Sequence, residues 1–281
     1  MFFLIGVVIV FGSVLGGYLP HGSFDVLMQP LELLIIGGAA GGAFIISNPG
    51  PNMKRCLSHM SRVLKGMPHN KDSYLDLLTL MYKTFRLAKT KGMLALESHI
   101  EEPQESDLFQ EHPKFLANHH AVDFLCDYLR LVTMGSNNAS EIEDLMNLEL
   151  EVHHAEAHAA YGAVNTMGEG MPAFGIVAAV LGVIITMGSI TEPPEILGGL
   201  VGAALVGTFL GILLAYGLVM PVSKNMEASA NSEGKYYECI KAGVLAHLQG
   251  SAPAISIEFA RKSLFSQDRP TFEELEEAVS T

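Results

Sequence analysis

The chain is 281 residues long, with 49% hydrophobic residues, 17 lysines and arginines against 30 aspartates and glutamates, and a formal net charge of −13. That balance excludes nucleic acid as a partner, because phosphate binding needs a basic surface. Three cysteines, Cys56, Cys126 and Cys239, have no zinc spacing and are too few for a disulfide scaffold, so they are expected to be ordinary packing residues.

No basic residue precedes Lys54, and none lies between Arg130 and Lys224: 11 fall in Lys54 to Arg130 and the other 6 in Lys224 to Arg269. Basic residues near membrane helices stay on the cytoplasmic side, so both stretches are expected inside and the long apolar segments before and between them are the candidate spans. The first, Met1 to Leu19, has no basic n-region and no clear cleavage site, and reads as a retained anchor. The second, Leu31 to Ser47, is the shortest, with Glu32 at its mouth and Gly37, Gly38, Gly41 and Gly42 inside it. A hydrocarbon core of about 30 Å sets the length required.

Residues 48–171 then predict a helical domain. Ser73 is a candidate N-cap for a helix carrying Leu75, Leu77, Leu78, Leu80, Met81, Phe85 and Leu87, with Gly92 as a break before Met93 to Ile100. A second helix runs from His119 to near Gly135 and a third from Ala139 to about Tyr161. His154 and His158, four apart, put two imidazoles on one face of that third helix, but no third ligand accompanies them, so no metal site is assigned.

The third and fourth apolar segments are Pro172 to Ile190 and Ile196 to Met220, with Gly198, Gly199, Gly202, Gly207 and Gly211 in the fourth. Small residues let membrane helices approach closely, and packing inside one four-helix unit accounts for most of them. Pro172 opens the third span and Pro221 closes the fourth, where it fixes the junction with a soluble extension. Thr186 is expected to bond its own backbone four residues back. Thr208 and Tyr216 are the remaining polar lining. In the tail, residues 221–281, Thr271 and Glu274 form a capping box opening a helix over Phe272 to Val279.

The fold class is therefore all-α and integral to the membrane: hairpins at 1–47 and 172–220, a cytoplasmic helical domain at 48–171 and a cytoplasmic tail at 221–281. On this reading the span interiors hold no ionisable residue, so an ion carrier built from this chain would need the titrating group of a partner.

GGYL at Gly16 to Leu19, ELLIIGGA at Glu32 to Ala39, GMLALE at Gly92 to Glu97, DYLRL at Asp127 to Leu131, PAFGIVAAVLGV at Pro172 to Val183, VGTFLGILLAYG at Val206 to Gly217 and EFARK at Glu258 to Lys262 together resemble the flagellar-motor stator A subunits, the MotA and PomA group. The resemblance implies a torque-generating channel of the bacterial inner membrane, with no enzymatic activity and no cofactor. It implies five copies around two MotB-type B subunits that bring a membrane aspartate. Pro172 and Pro221 match prolines held to couple ion passage to movement. Lys89 and Glu97 match charges that engage the rotor switch protein FliG, although the familiar pattern has arginine where Lys89 stands. Lysine keeps the charge and loses the bidentate fork, and Arg86 one turn earlier is placed to share the contact. Without the resemblance, Lys83, Arg86, Lys89 and Lys91 would read as a solvated face or as contacts to anionic lipid.

Sodium-driven relatives carry threonine where this chain has Ala179, whereas Thr208 is shared. Alanine offers sodium no oxygen, so protons are the expected ion. The ExbB and TolQ group is the alternative, a three-span family of proton channels that energise outer-membrane processes.

Overall fold

The computed structural model describes residues 2–64, 66–135 and 138–280, and every regular element among them is helical. In chain order these are α1 (Phe2–Tyr18), α2 (Phe24–Leu27), α3 (Pro30–Ser47), α4 (Gly50–Val63), α5 (Lys71–Lys91), α6 (Glu97–Glu101), α7 (Asp107–Gln110), α8 (Pro113–Leu116), α9 (His119–Thr133), α10 (Ala139–Gly188), α11 (Pro194–Leu214), α12 (Met220–Leu248), α13 (Pro253–Lys262) and α14 (Phe272–Ser280). A 3₁₀ turn over Met93–Leu96 follows α5, and a π-helical stretch, Ala215–Val219, joins α11 to α12. The chain forms two compact units, residues 1–66 with 156–229 and residues 67–155 with 230–281.

The first unit contains α1, α3 and α11 with the second half of α10. Phe24–Ser47, Ala139–Gly188 and Pro194–Leu248 each contain a stretch long and apolar enough to cross a membrane, while α1 is a shorter apolar helix of 17 residues, about 25 Å. Its outer surface is apolar: Phe2, Ile9, Leu34, Ile46, Ile184 and Leu205 are all exposed. Such a surface suits hydrocarbon, where helices are the element that satisfies its own backbone.

Glycines set the spacing of α10 and α11. A Cβ on Gly211 would lie 2.8 Å from the Met171 carbonyl oxygen and 2.9 Å from the Gly175 Cα, and one on Gly182 would lie 2.9 Å from the Ala204 Cα. Backbone therefore meets backbone along this seam. The glycines of α3 behave differently: Gly37, Gly41 and Gly42 have nothing within 4 Å of a Cβ position. They do not pack inside this unit, contrary to the expectation that most of the span glycines would, because the face they occupy is turned away from the other helices.

In the second unit α5, α9, α13 and α14 enclose a core that includes Leu77, Leu78, Met81, Phe85, Leu125 and Ile257. The first of these helices starts earlier than Ser73. Asn70 is its N-cap: its side chain accepts from the Ser73 amide at 2.9 Å and its amide donates to Ser73 Oγ at 2.9 Å, so Ser73 closes the box from the third position. Gly92, at φ +88°, ends α5 with a conformation that favours glycine. The expected tail capping box is present, with the Thr271 amide donating to Glu274 Oε2 at 2.7 Å and the Glu274 amide to Thr271 Oγ1 at 3.1 Å. All three cysteines are buried and unpaired.

Candidate functional site

Pro172 does not open a helix. It lies inside α10, which runs without interruption from Ala139 to Gly188. The missing proline N–H leaves the carbonyl of Gly168 without its helical donor, a single lost bond that a well-packed helix tolerates. The turn below Pro172 packs against the approach to Pro221: a Cβ on Gly168 would lie 2.8 Å from Met220 Cγ and 3.2 Å from Val219 Cγ1. Pro221 likewise sits in a continuous helical path, one residue into α12 and directly after the π-helical stretch. A π turn shifts the hydrogen-bond register by one, and it falls where the Pro221 ring would crowd the carbonyl of Gly217. The two prolines, far apart in sequence, thus flank one packed junction, with Ser223 Oγ donating to the Tyr161 carbonyl at 2.7 Å just below it.

Further along the α10–α11 seam lie the two lining candidates. Ala179 and Thr208 are both half-buried. Thr186 spends its hydroxyl on the Gly182 carbonyl at 2.8 Å, as expected. Thr208 makes no hydrogen bond among the described residues, so its hydroxyl is available to a ligand. Tyr216 is exposed.

Glu32 departs from expectation most. Although only the third residue of α3, it is buried, 9% exposed, and its Oε2 is enclosed without a hydrogen-bond partner. That oxygen would lie 3.0 Å from a Cβ on Gly207, and the same position is 3.3 Å from the Ala179 amide nitrogen and 3.0 Å from Ala178 Cβ. The carboxyl thus enters a gap between α3, α10 and α11 that exists because residue 207 has no side chain. The candidate span Phe24–Ser47 therefore contains one buried carboxyl packed against α10 and α11. The signal was present in Phe24, Val26, Leu27 and Met28, which extend the apolar segment to Phe24–Ser47 and leave Glu32 inside it.

In the second unit, Arg86 and Lys89 are exposed on α5 and Glu97 is exposed at the start of α6. None of the three has an ion-pair partner among the described residues. Lys83 on the same helix differs, pairing with Glu111 at 2.6 Å, and that bond holds the Glu111 carboxyl below the usual range. Burial, helped by Lys89, holds the His247 imidazole below its ordinary value. The histidines of α10 turn to different neighbours: His153 meets the edge of Tyr237 at 5.0 Å between centroids, and His158 meets Tyr161 at 5.1 Å. Among the described residues no three metal-ligating groups converge.

The chain matches the Motility protein A N-terminal family over residues 4–92 and the MotA/TolQ/ExbB proton channel family over residues 116–239. It is 44% identical to Motility protein A of Escherichia coli (strain K12), covering 99% of this chain and 95% of that protein. Among solved structures it superposes on the flagellar MotAB stator complex from Bacillus subtilis with a TM-score of 0.76 at 27% identity, covering 98% of each chain. The C. jejuni MotAB structure shares the fold, with a TM-score of 0.80 at 22% identity over 96% of this chain and 98% of that one.

Proposed function

Because this chain belongs to the Motility protein A family, we infer that it is a stator subunit of the flagellar motor: a multi-pass inner-membrane protein, not an enzyme, that forms a proton channel with a MotB partner. The observation that carries this is the 44% identity to E. coli Motility protein A along 99% of the chain. The proton-channel family also includes TolQ and ExbB, but the full-length relative favours the motor over the energising of outer-membrane processes.

The chain crosses the membrane four times, at hairpins 1–47 and 172–220, and residues 48–171 and 221–281 lie in the cytoplasm with both ends of the chain; the confinement of basic residues to those stretches supports this. Five copies surround two B subunits. The ion is a proton, supported by Ala179, which supplies no side-chain oxygen for sodium. The junction of Pro172 and Pro221 couples ion passage to the rest of the chain, supported by the contact of Gly168 with Met220. Arg86, Lys89 and Glu97 engage FliG, supported by their exposure and lack of partners among the described residues. An exposed pair of about 0.2–1 kcal/mol is weak beside the roughly 2.3 kcal/mol released by one charge crossing 100 mV, so such contacts can break at every step.

The test is swimming speed in a strain lacking its own stator and expressing this chain with its cognate B subunit, while the proton and sodium gradients are collapsed separately. Loss of speed on removing the proton gradient alone is expected. Dependence on sodium would overturn the ion assignment, and no rotation under either gradient, despite verified assembly, would overturn the motor reading.

A further inference from the structure

We propose that Glu32 is a proton-binding site of this subunit in its own right, a carboxyl admitted between α3, α10 and α11 by Gly207 and enclosed beside Ala178 and the backbone of Ala179, which takes up and releases protons on the ion path. The proposal rests on the proton-channel reading and adds a site to it that lies on this chain instead of on a partner.

The depth follows from helix geometry. Ala179 lies nine residues before the end of α10 at Gly188, about 14 Å along its axis, and Gly207 lies thirteen after the start of α11 at Pro194, about 20 Å. Glu32 itself is fifteen residues, about 22 Å, from the end of α3 at Ser47. In a hydrocarbon layer of about 30 Å, these distances put the carboxyl about 8–20 Å from one face, inside the layer and not at its edge.

The surroundings decide what it can bind. A carboxylate there would be a charge in hydrocarbon, and such groups mark ion pathways by default. Among the described residues nothing near it supplies a counter-charge: α10 from Pro172 to Gly188 and α11 from Ile196 to Leu214 carry no titratable side chain, and Tyr18 is the one in α1. Asp25 in α2 and Glu195 at the start of α11 are exposed, as are His21 and Glu192 on the connecting segments. A metal cation fits no better, because a sodium-like ion needs several oxygen ligands, and what shares the space at Gly207 with Glu32 Oε2 is the methyl of Ala178 and the backbone nitrogen of Ala179. A proton needs one oxygen. Oε2 is enclosed and unpartnered, and the unspent hydroxyl of Thr208, the residue after Gly207, is a group that can both accept and donate.

A purely structural role makes a different prediction, because glutamine would fill the same gap and pack as well. The full chain with its cognate B subunit is therefore compared as wild type, Glu32→Gln and Glu32→Asp in lipid vesicles, with assembly read by co-purification and proton flux by an entrapped pH-sensitive dye under an imposed potential. We expect E32Q to assemble at wild-type yield with flux at least tenfold lower, and E32D to keep more flux than E32Q. Flux from assembled E32Q within twofold of wild type would overturn the proposal. If E32Q does not assemble, infrared spectroscopy of the wild type decides: a protonated-carboxyl band that shifts on ¹³C labelling of glutamate but not of aspartate supports the site, and absence of that band overturns it. Absence of wild-type flux would instead strike the proton-channel reading, while the infrared result still tests Glu32.

Discussion

Replacing Gly211 by alanine tests whether the α10–α11 seam is held by backbone contact. The added methyl would lie 2.8 Å from the Met171 carbonyl oxygen and 2.9 Å from the Gly175 Cα, and because both are backbone atoms no rotamer change relieves the overlap. The helices must separate by about half an ångström to reach ordinary contact, giving up dispersion along the seam; overpacking of this kind costs about 1–3 kcal/mol. At 1.4 kcal/mol per tenfold, that is roughly a 5- to 150-fold loss in the native population. Gly198→Ala in the same helix is the control, since nothing lies within 4 Å of its Cβ position. Helix propensity alone would favour both substitutions by about 1 kcal/mol, so propensity and packing predict opposite signs at position 211. Thermal unfolding of the purified A–B complex, followed by circular dichroism, should show G211A melting below wild type and G198A at or above it. A G211A complex as stable as wild type, or a G198A complex equally damaged, would refute the argument.

Burial pushes the His69 imidazole down to about 4, with Glu233 opposing weakly, and its ring stacks on Tyr236 at 3.9 Å between centroids. The unfolded chain takes up a proton near pH 6.5 and the folded chain only near 4, so this contribution to stability is complete above pH 6.5 and is lost as the pH falls towards 4, by about 3 kcal/mol at most. His69→Phe should keep the stack and flatten that acid limb in melting temperature measured against pH; an unchanged limb would show that other groups set it. Lys89→Glu is expected to lower swimming speed while proton flux and melting temperature stay at wild-type values, because the side chain is exposed and without an ion-pair partner among the described residues; a parallel fall in flux would place Lys89 in the channel's working instead. Arg261 is buried, donating to the Pro270 carbonyl at 2.8 Å and to both oxygens of Glu258 at 2.7 and 2.6 Å. Arg261→Met leaves the Pro270 carbonyl without its donor and Glu258 with only Lys262 at 3.9 Å, and should cost about 1–3 kcal/mol, visible as a lower melting temperature, whereas an unchanged melting temperature would show that water replaces the guanidinium.

The helical class, the extent of α9 and the tail capping box were legible from sequence because caps and apolar periodicity are local signals. Even the one-residue-scale inference at Thr186 was legible, since its partner, the Gly182 carbonyl, is four residues away. What escaped was whatever depends on a distant segment. Pro172 reads as a helix start because proline breaks most helices, yet one orphaned carbonyl was tolerated inside the 50-residue α10. The glycines of α3 and those of α11 look alike as strings, but only tertiary packing separates Gly41, with open space, from Gly211, against backbone.

Glu32 shows the same limit at the site itself. A glutamate two residues after a proline, at the start of an apolar run, has the local signature of a membrane boundary. Its depth is decided instead by α2 and the residues before Pro30, which continue the apolar segment, and by a glycine 175 positions away. An ionisable residue in a span is costly and needs a compensating reason; here the fold provides the space, at Gly207, and no counter-charge among the described residues. With Glu32 placed at the mouth of the second span, the interiors of all four spans read as empty of charge, the third and fourth among them, and all titrating chemistry was assigned to a partner. Those two helices are indeed empty, and their emptiness is what makes room for a carboxyl from the second. Ala179 and Thr208 were chosen as lining residues from the resemblance alone; the backbone of Ala179 meets the same Gly207 gap as the carboxyl, so Glu32 and Ala179 should be varied together.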